Sequence, residues 1–395
     1  MLFTKINKDL NFIISFAILL RILVFILAIF INPQDQKKNS LSPLVEQKGI
    51  DTPFYQKAAE QYKNYGLTII YKKTKSFLDE LLADSSKASS VEPSKMSPLP
   101  LFPLTLIAFD YKQGNTLPLA ILYLIMSIAF CIIWLKWLSE NGLPKWSLWV
   151  FTIIPSPIYY MLAISTDMMF AFFFSIFFTS YFRTKNKENY YVWIFALICM
   201  TFLRPNVISV ILFILFDKIF FSKKKLNIKS TQFIFLAVAI LITLALVSLP
   251  YFLVPIGHNL EIDYFGIQHS EYFSGIFNEL PHFLNKIISV ISLILAKVFY
   301  FVGLRPSWSE IPDYILFIRS FTGIFLLPGI VYLYIKGDIR IKILFGFFIL
   351  PILLVVTQDR YNLPVFPILY FYGVIFFNKF LLKVRLVNLN KINKE

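Results

Sequence analysis

The chain has 395 residues, of which 57% are hydrophobic, 18% aromatic and 15% charged, whereas an ordinary soluble protein has roughly 25% charged and 45–50% apolar residues. With 44 Phe and only 13 Gly, it is too apolar for one soluble core and too poor in glycine for a linker-rich or collagen-like architecture, which leaves an all-α polytopic membrane protein as the fold class. The net charge of +15 does not point to a nucleic-acid partner, because the basic residues sort by loop.

The first apolar run covers 10–31, close to the roughly 20 residues that a bilayer crossing requires. No small-residue cleavage site follows it, so it reads as a retained anchor. Arg21 sits in its middle, where a charge is costly in lipid and has to face a bundle interior or a cavity. The segment 32–116 is the one extended stretch of low hydrophobicity. Within it Phe54, Tyr55, Ala58, Ala59, Tyr62 and Tyr65 recur at helical spacing, as do Phe77, Leu78, Leu81 and Leu82 after Ser76 and Asp79 in capping-box positions. The pattern predicts two amphipathic helices lying on a membrane, with 85–97 as a connection.

Further apolar runs lie near 117–138, 148–166, 168–182, 190–203, 205–221, 231–254, 286–304, 314–335, 343–357 and 362–381. Several fall short of a full span, as helices do where a bundle encloses a water-filled cavity. Lys297 in the middle of 286–304 marks that run as interfacial, giving ten crossings, or eleven if it spans. Lysine and arginine set the orientation. With a cytoplasmic N-terminus, one side receives Lys5, Lys8, Lys136, Lys145, Arg183, Lys185, Lys187, Lys218, Lys223, Lys224, Lys225, Lys229, Lys336, Arg340, Lys342, Lys379, Lys383, Arg385, Lys391 and Lys394. The short loops of the other side hold only Arg204, Lys286, Arg305 and Arg360. This topology makes 1–395 a single domain in a cell (inner) membrane, with loops 32–116 and 255–285 facing the periplasm or exterior. Cys131 and Cys199 lie inside apolar runs and read as small buried hydrophobes, without a disulfide framework or a cysteine metal site.

Asp51 admits two readings. It precedes Thr52 and Pro53, so Asp51 or Thr52 is placed to cap the helix that follows. As an acid just above the bilayer in the first external loop, Asp51 is equally a candidate general base.

The order of motifs along the chain adds to this. After Asp51-Thr-Pro-Phe-Tyr55 comes Ser97-Pro-Leu-Pro-Leu-Phe-Pro103. Then follow Pro155-Ser-Pro157-Ile-Tyr-Tyr160 with Ser165-Thr166-Asp167 at an external junction, Phe202-Leu-Arg204-Pro205-Asn206, and Gln358-Asp359-Arg360-Tyr361-Asn362-Leu363-Pro364. This order resembles the glycosyltransferase C superfamily of integral membrane glycosyltransferases, which includes protein O-mannosyltransferases, lipid A aminoarabinose transferases and the mannosyltransferases of glycolipid anchors. The resemblance runs over nearly the whole chain. It implies a bundle of about ten or eleven transmembrane helices with a long first external loop. It also implies that Asp51 acts at the acceptor and that Arg360-Tyr361-Asn362-Leu363-Pro364, matching the family's Arg-Tyr-x-x-Pro stretch, meets the phosphate of the lipid donor. The sequence departs from the protein O-mannosyltransferase pattern in having Thr52, not a second acid, after Asp51.

The residue types suit that chemistry. Phosphate is a good leaving group whose developing charge needs a cation beside it, and arginine grips phosphate oxygens with two parallel hydrogen bonds. Arg360, Arg204 and Arg305 share the external face in this topology; snorkelling to the interface is the other reading of Arg204 and Arg305. Asp51 would take the acceptor hydroxyl proton in a single inverting displacement. Asp167 is the second acidic candidate.

Some relatives hold a divalent metal near the donor phosphate, and on that basis His269 with Glu271 or Asp263 is the candidate set. The spacing is not zinc-like, solvated loop residues look the same, and no metal is assigned.

The sequence therefore predicts a membrane glycosyltransferase, hexosyl- or pentosyl-transferring and possible to compare with mannosyltransferases, that serves cell-envelope glycan synthesis. Its partners would be membrane lipids, a polyprenyl-phosphate sugar donor and a glycan, lipid or protein acceptor. The competing functions are a flippase or transporter for a lipid-linked saccharide and a polymerase or ligase of lipid-linked oligosaccharides. Transporters usually show related halves, whereas here the 32–116 loop has no counterpart in a second half.

Overall fold

The computed structural model describes residues 2–30, 52–66, 68, 99–109, 117–162, 165–183, 188–204, 206–221, 298–299, 301–303, 313–354 and 362–392. Among the described residues every regular element is helical and no strand occurs. In chain order the helices are α1 (Leu2–Phe30), α2 (Thr52–Tyr65), α3 (Leu101–Ala108), α4 (Leu117–Glu140), α5 (Lys145–Ile153) and α6 (Pro155–Leu162). They continue as α7 (Thr166–Phe182), α8 (Glu188–Thr201), α9 (Val207–Phe220), α10 (Asp313–Lys336), α11 (Ile339–Leu354) and α12 (Phe366–Ile392). Two stretches among them are long and apolar enough to cross a membrane, Asp9–Ala28 and Leu117–Glu140. Thr166–Phe182, Tyr190–Thr201, Phe321–Lys336 and Phe366–Phe380 are apolar but shorter.

The apolar runs become helices largely where hydropathy placed them, with two departures. The run 148–166 is not one helix, because α5 and α6 are separated at Ile154, whose backbone is extended (φ −55°, ψ 125°). The cause is Pro155, whose ring disfavours helical geometry at the residue before it and fits the first position of the next helix. The second departure is α3. Leu101–Ala108 forms an apolar helix that buries Phe102, Pro103 and Leu106 and packs against α2, inside the loop expected to carry only surface helices. The predicted α2 pattern holds, with Ala58, Ala59 and Tyr62 buried, although Tyr65 points out. The runs 77–82 and 231–254 lie outside the described residues, as does 286–304 apart from its last few positions.

Helix α4 is the spine, packing against α1, α6 and α7. Its parallel register with α7 is fixed at three levels. The Tyr123 hydroxyl donates to the Ser165 carbonyl; Trp134 Nε1 donates to Ser175 Oγ at 2.6 Å; and Glu140 pairs with Arg183. From position 123 to 140 the helix rises about 25 Å at 1.5 Å per residue. The far end of α4 closes in a Schellman turn, with Gly142 N donating to Ser139 O at 3.1 Å, Leu143 N to Leu138 O at 3.2 Å, and Leu143 buried. Gly142 has φ +79°, a left-handed conformation that glycine adopts without a Cβ penalty.

Helices α10 and α12 pack extensively against each other, backbone against backbone at two glycines. A Cβ built on Gly329 would lie 2.1 Å from the Leu369 carbonyl oxygen, and one on Gly373 would lie 2.2 Å from that of Phe325. Both obstacles are backbone, which cannot swing aside. Gly329→Ala and Gly373→Ala should therefore each destabilise the protein by about 1–3 kcal/mol, read as a lower midpoint of thermal unfolding. The control is Gly346→Ala, whose Cβ meets nothing nearer than the Tyr334 hydroxyl at 3.8 Å. It should leave stability unchanged or raise it by about 0.5–1 kcal/mol. Equal responses at all three positions would mean that α10 and α12 do not approach so closely.

Candidate functional site

The α6–α7 junction carries the main buried polar cluster at one end of the bundle. Ser165 is extended (φ −145°, ψ 162°), and the chain then enters α7 with Thr166 and Asp167 in its first turn. Both side chains are buried, and a carboxylate there lies at the favourable end of the helix dipole. Arg204 comes from the turn after α8, where its backbone N donates to Met200 O at 3.1 Å before Pro205 ends any continuation. Its Nη1 lies 2.6 Å from Asp167 Oδ1, and its Nε donates to Thr166 Oγ1 at 2.7 Å. The neighbouring Ser165 Oγ is buried and has no hydrogen-bond partner among the described residues.

Two further elements join this cluster. Leu101 N, at the start of α3, donates to Phe202 O at 3.0 Å, and Phe102 meets the Tyr55 ring of α2 edge-on at 4.9 Å. Leu101 and Phe102, Thr166 and Asp167, and Phe202 and Arg204, far apart in sequence, are thus drawn together by direct hydrogen bonds, an ion pair and a ring contact. Tyr123 links them to the bundle through Ser165.

One helical turn further along α4, Ser127 Oγ accepts from Arg21 Nε at 3.3 Å, while Arg21 Nη1 donates to Ala17 O at 3.1 Å. Arg21 is 1% exposed, so it faces the bundle interior as its position in an apolar run requires.

The candidates named from sequence fare differently. Asp167 and Arg204 come together, each as the other's partner. Arg204 turns inward and does not snorkel; its side chain is 14% exposed against 2% for Asp167. Carboxylate and guanidinium thus meet largely out of solvent at this junction. Asp51, Arg305, Arg360, Tyr361, Asp263, His269 and Glu271 lie outside the described residues. Asp51 immediately precedes α2, and Arg360 and Tyr361 immediately precede Asn362. Asn362 is buried and donates through Nδ2 to Phe301 O at 2.7 Å. No group of three or more metal-ligating side chains occurs among the described residues.

Sequence reasoning missed Tyr123, Ser127 and a second polar cluster at the opposite end. There the Tyr181 hydroxyl donates to Asp217 Oδ2 at 2.6 Å, and Arg340 grips the same carboxylate through Nε (2.5 Å) and Nη2 (2.8 Å). The available signals were the i, i+4 spacing of Tyr123 and Ser127 and the lone Asp217 in an apolar run.

Removing one member of a buried ion pair strands the other, at a typical cost of about 3–5 kcal/mol. Asp167→Leu alone should lower the unfolding midpoint sharply, and Asp167→Leu combined with Arg204→Met should recover much of the loss. Additive losses in the double variant would show that the two side chains do not interact.

No family model, no curated protein and no solved structure matches this chain.

Proposed function

We propose that the chain is a polytopic integral membrane glycosyltransferase, transferring a sugar from a polyprenyl-phosphate carrier to an acceptor at the external or luminal membrane face. The membrane part of the reading is supported by helices that are apolar all round. On α1, Ile13, Ala17 and Ala28 face inward while Phe12, Leu19, Leu23 and Leu27 face outward and are exposed. Such a helix suits lipid on one side and protein on the other. Orientation is supported by the ion pairs Lys145–Asp9, Arg183–Glu140 and Arg340–Asp217, which belong to the lysine- and arginine-rich end. The Asp167–Arg204 cluster lies at the other end of α4 and α7.

The observation that carries the glycosyltransferase reading is the meeting of Tyr55, Phe102, Thr166, Asp167 and Arg204 at that second end. It brings together residues from three of the segments whose order along the chain resembles the glycosyltransferase C superfamily, in contact with the helix that Asp51 precedes. In the proposed reaction the acceptor oxygen attacks the anomeric carbon, the bond to the phosphate oxygen breaks, and the acceptor proton passes to Asp51. Arg360 neutralises the departing polyprenyl phosphate, and Arg204, held by Asp167 and Thr166, keeps the loops around it in place.

Two measurements test the proposal. The first is sugar transfer by the purified protein from polyprenyl-phosphate sugars. Asp51→Asn retains size and capping ability, so turnover should fall by roughly 10²–10⁴-fold while thermal stability persists. Unchanged turnover would reduce Asp51 to a helix cap, and movement of the lipid-linked sugar across the bilayer without a new glycosidic bond would favour the flippase. The second is cysteine accessibility in intact cells, with Cys131 and Cys199 replaced. A cysteine at Asn64 should label from outside and one at Lys224 only after permeabilisation; the reverse pattern would overturn the orientation.

A further inference from the structure

At the basic end of the bundle four lysines surround the α10–α11 turn. Lys336 ends α10, Lys342 lies in the first turn of α11, Lys218 is near the end of α9, and Lys379 is on α12. A chain of contacts past the turn links Lys218 to Lys379. Lys218 Nζ sits 5.9 Å from the centroid of the Tyr181 ring, which also faces the Arg340 guanidinium at 5.8 Å. The backbone N of Arg340 donates to Asp338 Oδ1 at 2.8 Å, and Asp338 N donates to the Tyr372 hydroxyl at 3.3 Å. Tyr372 lies 6.4 Å from the Tyr332 ring, over which Lys379 Nζ stands at 5.2 Å.

The charges in this patch do not cancel: against the four lysines stands Asp338 of the turn itself, whose Oδ1 accepts from the Arg340 backbone N. Asp217 is taken in a bidentate grip by Arg340. Among the described residues none of the four lysines has a carboxylate within ion-pair distance. Tyrosine rings beneath Lys218 and Lys379 hold two of the ammonium groups in place without neutralising them. Bulky apolar side chains stand exposed beside the lysines: Ile219 and Phe220 on α9, Ile335 on α10, Ile339 on α11 and Phe380 on α12. Uncompensated cations next to exposed aliphatic and aromatic groups match a molecule with an anionic head and an apolar tail. A soluble anion or an acidic peptide would have no use for the apolar half.

We infer that the α10–α11 turn, with the ends of α9 and α12, is a binding site for an anionic phospholipid of the cytoplasmic leaflet, its phosphate held by Lys218, Lys336, Lys342 and Lys379. The inference rests on the membrane reading above and is independent of the sugar-transfer reading, because it lies at the opposite end of α4 and α7 from the Asp167–Arg204 cluster. Arg340 is not part of it, being committed to Asp217.

The test uses the full chain in a neutral detergent, with phosphatidylglycerol, phosphatidylcholine or inorganic phosphate added. Phosphatidylglycerol should raise the thermal unfolding midpoint by about 2 °C or more, with phosphatidylcholine and phosphate giving no comparable shift. The triple variant Lys218→Gln, Lys336→Gln, Lys379→Gln, confined to the lysine charges, should lose most of that response, and added salt should weaken it in the native protein. An equal shift with phosphatidylcholine, an equal shift with phosphate, or a full response in the triple variant would each overturn the inference. Carbonate extraction of membranes separates its failure from that of the reading beneath it. A chain released by carbonate overturns the membrane placement, whereas a retained chain indifferent to phosphatidylglycerol overturns only the lipid site.

Discussion

With phenylalanine, leucine and isoleucine on the outward as well as the inward faces of its long helices, this chain leaves a polar side chain two places to go: an end of the bundle, or a partner inside it. That constraint organises the rest. Buried hydroxyls mostly turn back on their own helices, with Thr105, Thr152, Ser175, Thr179 and Thr201 each donating to the carbonyl four residues earlier. The indole of Trp134 finds Ser175, and the Tyr370 hydroxyl finds the Ser147 carbonyl at 2.6 Å. The charges do the same on a larger scale, each joining two helices. Asp167 ties α7 to the α8–α9 turn, and Asp217 ties α9 to α11 and, through Tyr181, to α7.

Hydropathy and charge made much of this legible in advance. The apolar runs become helices because a continuous stretch of Leu, Ile and Phe has no better way to satisfy its own backbone than within one segment. The sorting of lysine and arginine anticipated which ends carry the Lys145, Arg183 and Arg340 ion pairs. Arg21 was readable as inward-facing for the same reason, since a lone charge in an apolar run has only one tolerable direction. The break at Ile154 was also written in the sequence, as Pro155 and Pro157, but a window that averages hydropathy does not register it.

What was not legible is pairing. Asp167 was recognisable as a second acidic candidate near an external junction and Arg204 as a phosphate ligand or an interfacial anchor, but nothing in a linear pattern says that they face one another. The same holds for α3. Its residues look like a proline-rich approach to the next helix, and only the contact of Phe102 with Tyr55 and the bond from Leu101 to Phe202 reveal that it bridges the first loop to the Arg204 turn. Tyr123 and Ser127 passed unnoticed because a tyrosine and a serine among apolar residues are ordinary until an unpaired carbonyl and a buried guanidinium are found beside them.

Stability alone does not require these buried pairs, since well-packed apolar groups of similar volume often serve as well or better. Their placement argues for another role. Helices as alike in composition as α7, α8 and α9 offer little apolar discrimination between one neighbour and another. A carboxylate that is costly anywhere except against one guanidinium supplies the choice. Asp217 has that partner in Arg340 of α11, and Asp167 has it in Arg204. Because the two pairs lie at opposite ends of the bundle, together they fix both the lateral order of α7, α9 and α11 and their vertical register. A cluster built from elements as distant in sequence as those carrying Tyr55, Phe102, Asp167 and Arg204 depends on that register to hold its geometry.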